Sequence, residues 1–247
     1  MGRGVLGVLV LAAAASAQPA IVPGPAVVIG KAIEAHGGLE VLKKYPAGMS
    51  KFAGKMVLDG KDFPFTGALA FAVPGKARLE MTVESFGRTA TLVQLVNGDA
   101  VKEISSGVPS KLDPATQAEL KETAVIQELS LLFPLLDPGK YTLASEPAAT
   151  VDGRVCSVIL VKAKGVKDAR LYFEQKTGLL TGMRREGLSP TQKKVDDFTV
   201  FSEYRPVGGM MVPMRSRVLH DGRPFMDLAV SEYRPLPMID EKTFAVD

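Results

Sequence analysis

The 247-residue chain has no tryptophan, one cysteine, two histidines and only 6% aromatic residues. The single thiol, Cys156, excludes an internal disulfide, so stability must come from an ordinary hydrophobic core. No H-E-x-x-H and no cysteine pair occurs, which leaves zinc without an evident ligand set. No G-x-S-x-G is found either, so an elbow-type serine nucleophile is missing. The net charge of +3 is too small to point to nucleic acid or an acidic partner. Beyond residue 17 no stretch is long and apolar enough to span a bilayer.

What is present begins with an export signal at residues 1–17. Arg3 supplies a minimal positive region, Val5 to Ala14 an apolar one, and Ala15-Ser16-Ala17 a cleavage site before Gln18. No cysteine follows that site, so the expected product is not lipidated there. It is expected in the periplasm or cell envelope, with peripheral membrane contact at most. Gly2 to Gly7 matches G-x-G-x-x-G, but no strand precedes it and it lies in the segment to be removed. Residues 18–25 read as a proline-rich leader. Residues 26–247 read as a single domain, since neither half shows a break in composition.

Four Asn/Asp-Gly pairs lie between alternating runs: Asp59-Gly60, Asn97-Gly98, Asp152-Gly153 and Asp221-Gly222. Such pairs suit the positive φ angles of a type I′ hairpin turn, and Lys176-Thr177-Gly178 adds a fifth turn. Phe63, Phe65, Leu69 and Phe71 share a face of one run. In the next, Leu79, Met81 and Val83 alternate with Arg78, Glu80, Thr82 and Glu84. Leu171 and Phe173 oppose Arg170 and Tyr172, and Met210, Val212 and Met214 oppose Arg215 and Arg217. Arg154 to Lys162 is apolar on both faces, as in a strand enclosed from both sides.

Helical signals are fewer. Val27 to Lys44 reads as a helix interrupted at His36-Gly37-Gly38. Asp113 is a capping residue and Pro114 opens the one long helix. Its apolar stripe of Val125, Leu129, Leu132 and Phe133 is broadened by Leu120, Ala124, Leu131 and Leu135, and Pro134 and Pro138-Gly139 end it. Ile239 to Phe244 reads as a last helical turn. A large twisted sheet curls, so the expected fold is mainly antiparallel β (α+β). It is a curved incomplete β-barrel of about ten strands with helices covering its concave face.

Four segments carry a resemblance. Ala32 to Leu39 is similar to the helix–Gly-Gly opening of exported proteins of the LolA/LolB-like group, the outer-membrane lipoprotein carriers. Leu171 to Leu180 resembles their strand–Lys-Thr-Gly–strand hairpin, and Tyr204-Arg205 with Gly208, Gly209, Val212 and Pro213 resembles a later strand; Ile239-Asp240 with Phe244 resembles the tail. The resemblance spans nearly all of the mature chain. It implies a half-barrel whose apolar concavity receives acyl chains of a lipoprotein or another lipid. The chain departs from the group after the Asn-Gly turn. Where an aromatic, usually Trp, is common, Asn97-Gly98 continues Asp99-Ala100-Val101-Lys102. No gating arginine maps onto a position here, so no functional residue is carried over.

Few side chains could do chemistry. His36 reads as a polar residue at a helix end, His220 as a turn residue and Cys156 as a buried inert thiol. Asp196 and Asp197 are neighbours on a strand and point to opposite faces, so they read as a solvated edge rather than an acid/base pair. Arg184-Arg185 and Lys193-Lys194 read as outward strand charges. Methionines such as Met56, Met81, Met210, Met211, Met214, Met226 and Met238 suit either core filling or an adaptable apolar surface. No catalytic residue, metal or cofactor is expected.

The leading expectation is a non-enzymatic envelope carrier or binding protein for acyl chains or another apolar ligand. Its candidate lining is Phe65, Leu69, Phe71, Leu79, Met81, Val83, Val125, Leu129, Leu132, Phe133, Leu171, Phe173, Met210, Val212 and Met214. Lipid or an acylated protein would be its partner. The alternative is an envelope protein–protein interaction module with a self-filled core.

Overall fold

Turn residues dictate the course of the chain. In the computed structural model, which describes residues 22–85 and 87–245, Asp59-Gly60, Asp152-Gly153 and Asp221-Gly222 all hold two successive positive φ angles. That is the backbone of a type I′ turn. Ser106-Gly107 makes another. The Asn97-Gly98 turn is displaced by one residue. Asn97 closes its strand, and Gly98, with φ of 59°, is the first of the two turn residues, as a type II′ turn requires. The expected export signal lies outside the described residues, as does most of the expected leader.

Two helices come first, α1 (Pro25–Ala35) and α2 (Leu39–Lys44), joined through His36-Gly37-Gly38 as expected. Six strands follow: β1 (Ala47–Leu58), β2 (Lys61–Ala72), β3 (Lys76–Ser85), β4 (Arg88–Asn97), β5 (Ala100–Ser105) and β6 (Val108–Pro109). Helix α3 (Pro114–Leu129) and a 3₁₀ turn at Phe133–Leu136 lead to the second run. This comprises β7 (Tyr141–Val151), β8 (Arg154–Ala163), β9 (Ala169–Glu174), β10 (Leu180–Leu188), β11 (Lys194–Val207), β12 (Met210–His220) and β13 (Arg223–Leu236). A 3₁₀ turn at Glu241–Phe244 closes the described chain.

Among the described residues the strands form one antiparallel sheet of thirteen, not about ten, in the order β6-β5-β4-β3-β2-β1-β13-β12-β11-β10-β9-β8-β7. The uncounted members include the two edges: β6 has only two residues, both exposed, and β7 is buried only at its ends, Tyr141 and Val151. In a flat sheet β10 and β5 would lie eight strand spacings apart, roughly 38 Å. Helix α3 has 16 residues and is about 24 Å long, yet it touches both β10 and β5. The sheet must therefore curl.

Ladder register shows which residues share the face that carries the helices. Leu69 pairs with Ser50, Ser50 with Tyr233, Phe52 with Val230, Phe201 with Ser216 and Met183 with Thr199. On the β8–β10 side of this inner face, Ile159, Val161, Leu171, Phe173 and Leu180 pack against Ile29, Ile33, Leu42, Leu132 and Leu135. Each fully buried side chain of this size contributes about 1.5–3 kcal/mol. The outer face has a smaller cluster of Val151, Cys156, Val158, Tyr172 and Val200. Strand β8 thus feeds both layers, as its two apolar faces predict.

Helix α3 departs from expectation. It stops at Leu129, and Leu132 adopts a positive φ of 64° before the 3₁₀ turn. Leu131, Leu132 and Leu135 are buried beyond the helix rather than on its stripe. Asp113 does cap it, accepting from the backbone N–H groups of Ala115 at 2.8 Å and Thr116 at 3.0 Å.

Candidate functional site

Between α3 and the inner face lies a cavity of about 340 Å³, at the lower end of the roughly 300–1,000 Å³ typical of small-molecule sites. Six strands supply its floor. Leu69 and Phe71 come from β2, Ser50 and Phe52 from β1, Leu228, Val230 and Tyr233 from β13, and Met210, Val212, Ser216 and Val218 from β12. Asp197, Thr199, Phe201 and Tyr204 come from β11, and Leu180, Met183 and Arg185 from β10. Thr123, Ile126 and Gln127 of α3, followed by Ser130 and Leu131, form the roof, while His36 and Leu42 close one end. Two glycines let rings lie on this floor. A Cβ on Gly48 would meet the Phe71 ring at 2.9 Å, and one on Gly67 the Phe52 ring at 2.5 Å.

Polar groups gather at the opposite end. Arg185 and Asp197 are ladder partners, and Glu119 and Glu122 of α3, one turn apart, reach down to them. Arg185 Nη2 lies 2.6 Å from Glu119 Oε1 and 3.6 Å from Asp197 Oδ2, while Nη1 is 4.0 Å from Glu122. Lys167, between β8 and β9, sits 3.4 Å from both Glu119 and Glu122 and donates its backbone N–H to Glu122 Oε1 at 2.7 Å. Burial pushes the Glu119 carboxyl up, but its hydrogen bond and charge contact with Arg185 outweigh this and hold it below its ordinary value. At Asp197 burial wins, and the carboxyl is raised despite Arg185. Its Oδ1 is buried without a hydrogen-bond partner.

With this geometry the chain can be set beside known proteins. No family model matches it, and no curated protein matches it in sequence. Solved structures do. A LolA superfamily protein from Nitrosomonas europaea aligns with a TM-score of 0.56 at 13% identity, covering 90% of this chain and 98% of its own. A putative outer membrane lipoprotein-sorting protein domain from Vibrio parahaemolyticus aligns with a TM-score of 0.51 at 8% identity, covering 88% and 94%. The fold is LolA-like.

Three of the four segments that carry the resemblance meet at one junction of this LolA-like fold, and the tail packs elsewhere, against β3 and β4. Gly37, at φ +118°, approaches so closely that a Cβ there would lie 2.2 Å from the Gly209 carbonyl oxygen. Gly178 of the β9–β10 turn packs against the Lys31 carbonyl and Ala35, each within 3.1 Å of a would-be Cβ. The His36 carbonyl accepts from the Met211 N–H at 3.1 Å. Its Nδ1 stands 2.7 Å from the Ala32 carbonyl and must donate, which leaves Nε2 to accept the Leu180 N–H at 3.5 Å. Tyr204 meets the His36 ring edge-on at 5.7 Å and donates to the Leu180 carbonyl. His36 is thus a buried structural pin, and desolvation depresses its pKa.

Of the candidate lining residues, Leu69, Phe71, Met210 and Val212 border the cavity. Leu129, Leu132, Leu171, Phe173 and Met214 lie in the solid core, with Phe133 packed against it. Phe65 is buried against Phe52 at 6.1 Å. Leu79, Met81 and Val83 are half-buried farther along the same face, and Val125 is half-buried on α3. Two expectations are corrected. Arg185 points inward and is buried, unlike Arg184, because it is in phase with Met183 and finds carboxylates on α3. Asp197 is no solvated edge residue but borders the cavity opposite Asp196, which pairs outward with Arg184 at 3.6 Å.

Among the described residues, no cluster of three or more His, Cys, Asp and Glu is placed to hold a metal ion. No described helix is long and apolar enough to cross a membrane.

Proposed function

We propose that the chain is a non-enzymatic periplasmic or envelope carrier or binding protein for lipoprotein acyl chains or another apolar ligand, exported by residues 1–17 with cleavage after Ala17. One observation carries this reading. A largely apolar chamber stays open under α3, although the neighbouring part of the inner face is filled by the chain's own helices. A self-filled interaction module would have no use for that space. Each methylene moved from water into it gains about 0.8 kcal/mol, enough for a short hydrocarbon tail to bind and still leave. Likeness to a lipoprotein-sorting domain in fold is consistent with such cargo.

Saturable binding of a fluorescent apolar probe to the purified protein, at one site, tests the proposal. Leu69→Trp should fill the chamber and weaken the probe by about tenfold or more while the unfolding midpoint changes little. Absence of uptake by the unsubstituted protein, or uptake indifferent to Leu69→Trp, would sink it.

A further inference from the structure

The polar end of the cavity holds more acid than base. Glu119, Glu122 and Asp197 face Arg185 and Lys167, a surplus of one negative charge in a largely buried cluster. Arg185 is already engaged, since Glu119 takes Nη2 at 2.6 Å, the Thr123 hydroxyl lies 3.4 Å away, and Nη1 donates to the Glu186 carbonyl at 3.4 Å. Asp197 is left over. Its Oδ2 is 3.6 Å from the guanidinium, beyond hydrogen-bonding distance, and its Oδ1 has no partner. A buried carboxylate oxygen without a donor is costly, and the raised Asp197 pKa has the same origin. His220, its ladder partner on β12, is held below its ordinary pKa chiefly by burial and so supplies no steady countercharge.

The apolar floor runs away from this end, through Thr199 and Phe201 toward Tyr233, Phe52 and Phe71. A molecule filling the chamber therefore presents hydrocarbon to the aromatic end and its head to Asp197. Rotation about χ2 of an aspartate is soft, so an oxygen can turn toward that head.

Resting on the carrier reading, we propose that this end is a headgroup site selecting single-tailed amphiphiles whose head donates a hydrogen bond to Asp197, an ammonium or a hydroxyl, and rejecting carboxylate heads. An anionic head would meet the surplus negative charge, while Arg185 and Lys167 are already paired with carboxylates. A donor head supplies what Asp197 lacks, and an ammonium also balances the charge.

Displacement of the fluorescent apolar probe from the full mature protein by dodecylamine, dodecanol and dodecanoate, near neutral pH, tests this. Dodecylamine should bind tighter than dodecanoate by about tenfold or more, with dodecanol between them. Asp197→Asn should bring amine and carboxylate to within about threefold, because the substituted amide carries no charge. Dodecanoate binding as tightly as the amine, or a gap that survives Asp197→Asn, would overturn the proposal. Should the variant not fold, the order of the three heads on the unsubstituted protein decides alone. Equal binding of all three leaves the carrier reading standing and removes only the head assignment. If neither probe nor amphiphile binds, both fall.

Discussion

His36 shows how one side chain ties local sequence to global stability. Burial holds its imidazole neutral in the folded chain, below the ordinary 6.5, with one ring nitrogen donating and the other accepting. In the unfolded chain the ring takes up a proton once the pH drops under that value. The unfolded state then binds more protons, so its stability contribution is complete above pH 6.5 and shrinks as pH falls toward the depressed folded pKa. His220 is shifted in the same direction. We expect unfolding free energy from urea titrations to decline between about pH 7.5 and 5.5, with up to about 1.4 kcal/mol per pH unit from His36 alone. His36→Gln should flatten the slope. An unchanged slope would remove His36 from the account.

At the scale of the element, α3 is held by charge where its sequence advertised grease. Its acids at 119 and 122 reach Arg185 and Lys167, and Lys121 reaches Asp99 at 3.3 Å in the β4–β5 turn on the far side of the cavity. Arg185→Met would leave three carboxylates with Lys167 alone, a loss of about 3–5 kcal/mol for a broken buried pair. Hydrogen–deuterium exchange should then accelerate in residues 115–129, while the β11–β12 ladder keeps its protection. Equal acceleration everywhere would mean that the cluster supports the whole fold and not the helix.

What the sequence makes legible is what neighbouring residues decide. Asp-Gly turns, the His36-Gly37-Gly38 break and the Asp113 cap are decided by backbone geometry within a few residues, and all were readable. The inward Arg185 was hidden in a doublet. Phase alone put it with Met183, but only the β10–β11 register brings it opposite Asp197. The candidate lining residues of β9 depend on distant packing in the same way. Alternation marks Leu171 and Phe173 as inward, yet whether helix or void lies above them depends on where α1 and α2 dock.

For the molecule as a whole, an open sheet of thirteen strands must guard two edges. Both carry proline. Pro109 ends β6, and Pro147 sits where the β7–β8 register breaks between Glu146 and Ala149. Proline offers no N–H to a neighbouring strand, which discourages edge-to-edge pairing. The segment before α1 adds cover, since Ser145 of β7 donates to the Pro23 carbonyl at 2.6 Å. Pro147→Val should leave the thermal midpoint close to that of the parent but raise the self-associated fraction in sedimentation velocity. A strictly monomeric variant would show that the edge is protected by other means.

The β1–β13 ladder also sets an order of assembly. Each half of the sheet is a meander that can form from neighbouring hairpins, but residue 47 meets its partner only at residue 236. The chamber floor crosses that seam, with Ser50 beside Tyr233 and Phe52 beside Val230. Long-range closure of this kind is slow and comes late. A chain whose last strand has yet to reach residue 47 therefore owns no interior to fill, and the chamber comes into being only when the two halves have met.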